Sequence, residues 1–234
     1  MTTAAIILAR GGSKSIPGKN IMDFCGKPLL AWSILQVKHA QLVDLVVVSS
    51  DDKDILSVAR AYGAKPIRRP DEFATDIATS EGALLHALDV LEAELDEDLE
   101  RVVFLQPTSP LRHSSDLDGA VQAFDKAGAD SLFSDAILDD FCVWTNETGE
   151  LTGKTFDPWN RGRRQDREVL YLETGSIYVF KPDLLRKTGN RLGGHIARFT
   201  MPFWKSYEID TLEDIAVCEF FFKKHKLDTQ FDQN

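Results

Sequence analysis

The chain has 234 residues, 43% apolar and 27% charged, the balance of a globular protein with a real core, and at ~150 residues per domain it suits one large domain. Its 37 acids against 27 Lys and Arg give a net charge of −10, which argues against a nucleic-acid or membrane-surface binder, since such proteins need a cationic footprint. No apolar run reaches the ~20 residues of a membrane span, residues 1–6 lack a charged leader with a long apolar segment, and Cys25, Cys142 and Cys218 form no Cys-x-x-Cys pair, so a cytoplasmic location with reduced thiols is expected.

Residues 4–9 read as a first strand, nearly continuous in apolar side chains as strands covered on both faces are; 45–50 and 102–105 have the same character. Between them, 28–41, 53–62 and 80–95 show helical spacing. In the last, Leu84, Ala87, Leu88 and Leu91 share one face, with Asp89, Glu92 and Glu94 off it. Strands alternating with such helices predict parallel βαβ units with right-handed crossovers. The pattern changes at 139–175, which carry Gly149, Gly153, Pro158 and Gly162 beside Phe141, Trp144, Phe156 and Trp159; this reads as an inserted β-hairpin or arm. Residues 175–180 return to a buried strand, 207–211 end another, and a last helix spans 212–224 with Phe220, Phe221 and Phe222 packing on the sheet. The remainder, 226–234, reads as a flexible tail after one domain over 1–225.

The strongest chemical signal is the stretch 8–20 directly after the first strand: Leu8, Ala9, Arg10, Gly11, Gly12, Ser13, Lys14, then Pro17, Gly18, Lys19 and Asn20. A glycine pair lets backbone amides approach an anion where a Cβ would clash. Residues 1–30 hold Arg10, Lys14, Lys19 and Lys27 against Asp23 alone, a local excess of +3 in a chain of −10. The loop suits a polyphosphate, with Arg10 and Lys19 as clamps. Gly-x-Gly-x-x-Gly and Gly-x-x-x-x-Gly-Lys-Ser/Thr are both absent, and the plain alternative is a turn with solvated charges.

Two further stretches carry chemistry. Residues 105–112, Leu-Gln-Pro-Thr-Ser-Pro-Leu-Arg, follow a buried strand at its carboxyl end, where ligands bind in open α/β sheets. Gln106 both donates and accepts, so it can read a pyrimidine edge or a ribose hydroxyl; the alternative is a turn capped by Thr108 or Ser109. In 207–211, alternation puts Glu208 and Asp210 on one side, where two carboxylates can converge on a magnesium ion that also takes phosphate oxygens and water. Helix capping by Thr211 or Asp210 competes with that reading and can coexist with it. The five histidines show no metal spacing.

These stretches together resemble the acylneuraminate cytidylyltransferases, the CMP-sialic acid synthetases and their relatives. That family carries Leu-Ala-Arg, a small polar turn, Ser-Lys, Pro and Lys-Asn after its first strand. Residues 69–74, 76–80, 105–112 and 209–211 also resemble its Arg-Pro, Asp-Thr-Ala-Ser-Ser, Gln-Pro-Thr-Ser-Pro-Leu-Arg and acidic motifs, in order, from about 4 to 222. The resemblance implies a three-layer α/β/α Rossmann-like domain with a mainly parallel sheet and a small β arm that exchanges contacts across a homodimer. It implies transfer of CMP from CTP to a nonulosonic acid with release of pyrophosphate: Arg10 and Lys19 neutralise the phosphates, and Mg²⁺ on Asp210, with Glu208, activates the sugar hydroxyl.

It further implies a nucleotide pocket of Leu8, Ala9, Arg10, Gly11, Gly12, Ser13, Lys19, Asn20, Arg69, Ser80 and Gln106, and a sugar site of Gln106, Thr108, Ser109, Arg164, Gln165 and Glu173. Arg164 stands where the family's arginine holds the sugar carboxylate. Two departures appear. Glu208-x-Asp210 replaces Asp-x-Asp, which leaves Asp210 the firmer ligand, and Leu172-Glu173-Thr174-Gly175 replaces the Arg-Pro-Asn-Gly of sialate enzymes, which suggests a legionaminate or pseudaminate type of acid. The rival readings are a Kdo-type or sugar-phosphate nucleotidyltransferase, separable by a nucleotide panel, and a nucleotide-binding module without chemistry, which would bind CTP and release no pyrophosphate.

Overall fold

The computed structural model describes residues 2–95, 98–138, 141–147 and 149–231, the Arg164 side chain excepted. Among them the strands are β1 (Thr2–Leu8), β2 (Asp23–Phe24), β3 (Lys27–Pro28), β4 (Leu45–Ser50), β5 (Lys65–Arg68), β6 (Leu99–Leu105), β7 (Ser131–Leu138), β8 (Trp144–Thr145), β9 (Thr152–Gly153), β10 (Leu170–Phe180) and β11 (Ile196–Thr200). The helices are α1 (Leu29–Lys38), α2 (Lys53–Ala61), α3 (Ser80–Glu92), α4 (Ser114–Ala127), α5 (Pro182–Thr188) and α6 (Leu212–Lys224).

The central sheet runs β11-β7-β10-β6-β1-β4-β5, with β10 antiparallel to both its neighbours and the other pairs parallel. Burial on both faces explains the apolar run of β1: Ala5 and Ile7 pack under α1, α2 and α4, while Ala4 and Ile6 pack under α3 and α5. The expected three-layer, mainly parallel architecture is therefore present. No helix of the described residues is long and apolar enough to cross a membrane.

Three expectations need correction. Phe222 packs not on the sheet but on Phe24 and Trp32, at ring distances of 5.2 and 4.7 Å, in a third core between α6 and α1; Phe220 stays exposed. Residues 207–209 are extended chain after a 3₁₀ turn (Phe203–Ser206), not a sheet strand, because β11 has already taken the edge beside β7. The tail is also ordered as far as Phe231: Leu227 is fully buried, Phe231 lies against Trp32 and His39, and Gln230 donates to the Leu227 carbonyl at 3.0 Å, so apolar side chains hold what composition alone marked as frayed. Residues 232–234 lie outside the described residues.

Within the 139–175 insert lies the short β8–β9 hairpin, whereas 170–175 belong to β10 of the main sheet, which pairs with β7. Residues 139–140 lie outside the described residues.

Burial pushes the Cys218 thiol up to about 12 and the Cys25 thiol up to about 11. Thiols react as thiolates, so at pH 8 both should resist a disulfide reagent in the native chain, with rates rising as pH climbs toward those values. Cys142 should label first; fast labelling of Cys218 before unfolding would contradict this core.

Candidate active site

β1 ends at Leu8 and hands the chain to a loop folded back on itself. Asn20 Nδ2 donates to the Arg10 carbonyl at 2.9 Å, and Gly18, at φ +66°, turns the chain into a 3₁₀ turn (Lys19–Ile21). Gly11 serves a different purpose from the one its sequence context suggests. A Cβ there would lie 2.7 Å from Asp52 Oδ2, and its amide donates to Asp51 Oδ1 at 3.0 Å, so this glycine admits the acids that begin α2. Asp52 caps that helix, accepting from the amides of Asp54 and Ile55.

Lys19 is the centre of the site. Its side chain is 9% exposed, and Nζ donates to the Ile209 carbonyl at 2.9 Å and to Asp210 Oδ1 at 3.0 Å. The loop after β1 and the segment before α6 are thereby joined across 191 positions of sequence. Thr211, not Asp210, caps α6: its hydroxyl accepts from the Asp214 amide, and its own amide donates to Asp214 Oδ2 at 2.7 Å. The Asp210 carboxylate is left free to face Lys19 and the cavity. Glu208 is half-buried on the same side, since Ile209 between them is buried and donates its amide to the Thr108 carbonyl at 2.8 Å. Burial, and then the charge of Asp210, raise the Glu208 carboxyl above the usual carboxylate range, with Lys19 and Ser109 opposing.

The 105–112 stretch is held by a fully buried arginine. Arg112 donates to Gln36 Oε1 at 3.0 Å, the Ser176 carbonyl at 2.6 Å, Ser33 Oγ at 2.6 Å and the Gln106 carbonyl at 3.2 Å. Burial lowers its guanidinium to about 9, opposed by the charge of Asp116. Neither Thr108 nor Ser109 caps α4; that end is closed by the His113 amide donating to Asp116 Oδ2 at 2.7 Å. Gln106 Nε2 donates to the Gly175 carbonyl at 2.9 Å, and a Cβ on Gly175, at φ +65°, would come within 3.0 Å of that nitrogen.

A cavity of about 510 Å³, ordinary for a small-molecule site, opens among these elements. Its lining includes Leu8, Arg10, Ser13, Lys19, Asn20, Arg69, Ser80, Gln106, Thr108 and Asp210, all singled out from sequence. Ala9, Gly11, Gly12, Ser109, Glu173 and Glu208 are outside that lining. Arg69 is buried and bonded to Ser49 Oγ at 3.2 Å, and burial lowers its guanidinium below the usual arginine range. Glu173 accepts from the Tyr178 hydroxyl, which burial pushes up to about 12. Gln165 is exposed in a 3₁₀ turn of the arm (Arg164–Asp166); the Arg164 side chain lies outside the described residues. Sequence reading missed Lys14, Phe73, Thr75 and Asp76 as cavity-lining groups, although Lys14 had been counted in the charge excess.

The model of the family described as cytidylyltransferase matches residues 4–230. The chain belongs to the cytidylyltransferase family. This cytidylyltransferase is 32% identical over 228 residues to the pseudaminic acid cytidylyltransferase of Campylobacter jejuni strain 81-176, covering 95% of this chain and 97% of that one. It is 34% identical over 222 residues to the N-acylneuraminate cytidylyltransferase of Oncorhynchus mykiss, covering 92% of this chain and 49% of that one. Among solved structures, a CMP:2-keto-3-deoxy-manno-octonic acid synthetase complexed with CTP matches with a TM-score of 0.71 at 16% identity, over 96% of this chain and 100% of that one, a likeness of fold.

Arg112→Met should lower the free energy of unfolding by at least ~3 kcal/mol, because several buried acceptors lose their donor at once. Urea denaturation measures it. A midpoint like that of the unsubstituted chain would show that the 105–112 stretch does not depend on this side chain.

Proposed function

We propose that this cytidylyltransferase transfers CMP from CTP to the anomeric hydroxyl of a nonulosonic acid and releases pyrophosphate. The observation that carries the reading is the Lys19–Asp210 contact, which brings the cationic loop after β1 and the acid before α6 into the one cavity that Gln106 and Ser80 also line. The named relatives that act on pseudaminic and N-acylneuraminic acids support the substrate class, as does the CMP-N,N'-diacetyllegionaminic acid synthase of Legionella pneumophila, 31% identical over 188 residues.

In this reading the sugar hydroxyl oxygen attacks the α-phosphorus in line, the bond to pyrophosphate breaks, and the hydroxyl proton passes to solvent. Arg10 and Lys19 neutralise charge that spreads over the phosphate oxygens, and Lys19 needs no reorganisation because Ile209 and Asp210 already fix its ammonium. Gln106, held by Gly175, meets the base or ribose from the end of β6. The donor set fits a magnesium ion: among the described residues no three His, Cys, Asp or Glu cluster as a self-sufficient cage, whereas the Asp210 and Glu208 carboxylates face one side, and magnesium takes one or two carboxylates with phosphate oxygens and water. When bound, the ion supplies charge neutralisation at the phosphates and acidifies the attacking hydroxyl.

The reading includes a homodimer. No described residue of the arm lines the cavity, yet the arm carries Arg164, assigned to the sugar carboxylate, and Gln165, assigned to the sugar site, and it leaves Trp159 96% exposed beside Leu151 and Trp144. A second copy would cover those apolar groups and bring an arm to a neighbouring cavity.

Asp210→Ala should cut CTP-dependent pyrophosphate release at least ~100-fold while leaving the thermal transition in place; release at the unsubstituted rate would remove the acid from the chemistry. An assay of pyrophosphate release from CTP, across sialate, legionaminate, pseudaminate and Kdo-type acids, tests the substrate class, and turnover only with the last would overturn the nonulosonate reading. Sedimentation should report a dimer that Trp159→Asp shifts toward monomer; a monomeric unsubstituted chain would contradict the arm's assignment.

A further inference from the structure

Within the cavity four cationic side chains, Arg10, Lys14, Lys19 and Arg69, face two acids, Asp76 and Asp210, among the described residues. Lys19 holds Asp210, and Arg69 is bonded to Ser49. The two remaining cations converge on one carboxylate: Arg10 Nη1 lies 3.2 Å from Asp76 Oδ1, and Lys14 Nζ lies 2.7 Å from Asp76 Oδ2. Each carboxylate oxygen thus has its own cation, as two oxygens of a bound phosphate would. The Lys14 hydrogen bond first, and the charges of Lys14 and Arg10, hold the Asp76 carboxyl below the usual range, so it is an anion at neutral pH.

Asp76 belongs to the strap 74–79 between a 3₁₀ turn (Asp71–Phe73) and α3, and the strap is lightly tied. Its neighbour Ile77 is 92% exposed and the Thr75 carbonyl receives Arg10 Nη1 only at 3.5 Å; the strap is tied at its ends, by the Ala74 amide to Asp71 and by Thr79 capping α3, and between them by the Ala78 amide to Thr75. The ion pairs are themselves exposed, with Asp76 52% and Lys14 75% accessible, so each is weak and can be exchanged.

We propose that Asp76 is an internal plug of the triphosphate site: its carboxylate takes the place of phosphate oxygens on Arg10 and Lys14, and a polyphosphate must displace it, and the strap with it, to bind. The inference rests on the reading that this cavity receives CTP, and adds that Asp76 sets the affinity. Because the plug is tethered, it competes at high effective concentration. A single small anion gains too little to replace it, whereas a triphosphate brings several oxygens and more charge. The empty site is thereby closed to stray phosphate and open to its substrate.

The test is calorimetric titration of the full chain with inorganic tripolyphosphate and, separately, with CTP, comparing the unsubstituted chain, Asp76→Asn and Asp183→Asn. Asp183 pairs with Lys187 on α5, away from the cavity, and its substitution changes net charge equally. Asp76→Asn should bind tripolyphosphate about three- to tenfold tighter, the scale of two exposed ion pairs, with Asp183→Asn unchanged. Unchanged or weaker binding by Asp76→Asn, absence of tripolyphosphate binding in both, or equal tightening by Asp183→Asn would overturn the plug. Asp76→Ser, which also lacks the charge, should tighten binding likewise and guards against a local folding defect in the first variant. The nucleotide arm separates the two claims. Tightening for tripolyphosphate without preference for CTP over other nucleoside triphosphates would sink the reading of this cavity as a CTP site and leave the plug standing, whereas selective CTP binding indifferent to Asp76 would do the reverse.

Discussion

A nearly buried lysine that touches both a backbone carbonyl and a carboxylate is the constraint on which the site depends. Lys19 cannot leave its partners without stranding buried polar groups, so the loop after β1 and the segment before α6 are located relative to each other by one side chain. A buried donor of this kind is poor evidence for stability, since desolvation offsets much of its attraction. Its worth lies in pre-organisation: a cation already fixed in place can meet a phosphate without ordering a flexible side chain.

Around that contact the scaffold uses polar groups where an apolar core would not specify position. Arg112 gathers α1, the end of β6 and the irregular part of β10 by donating to carbonyls and hydroxyls, which have little freedom to shift without stranding a donor. The register of β10 against β7 breaks between Glu173 and Tyr178, and the irregularity contains Gly175, whose carbonyl orients Gln106. A bulge beside a binding residue is a common means of re-aiming a side chain, and here it does so at the carboxyl ends of β1 and β6, where the cavity opens.

The sheet was legible because double-sided burial leaves unbroken apolar runs, as in β1 and β4, and α6 was legible through its cap and length. The Lys19, Gln106 and Asp210 cluster could be read because each follows a recognisable strand or precedes a capped helix. What escaped has physical causes. β7 and β11 place Asp135, Arg198 and Thr200 on strands that do not alternate cleanly, because Asp135 is buried with Thr200 and Arg198 as partners. The packing of 227–231 depends on a groove beside Trp32 that exists only after folding. Gly11 looked like part of a phosphate nest, yet its missing Cβ makes room for Asp52, and residue type alone does not distinguish the two uses. Asp76 looked like one more polar residue in a matched motif until the fold set it against Arg10 and Lys14.

The most direct measurement is a crystal structure of the chain grown with CTP and manganese, located by its anomalous signal. The account predicts the triphosphate lying between Arg10 and Lys19, with the manganese peak at coordination distance from the Asp210 carboxylate. A triphosphate bound elsewhere on the molecule, or a metal peak remote from Asp210, would contradict it.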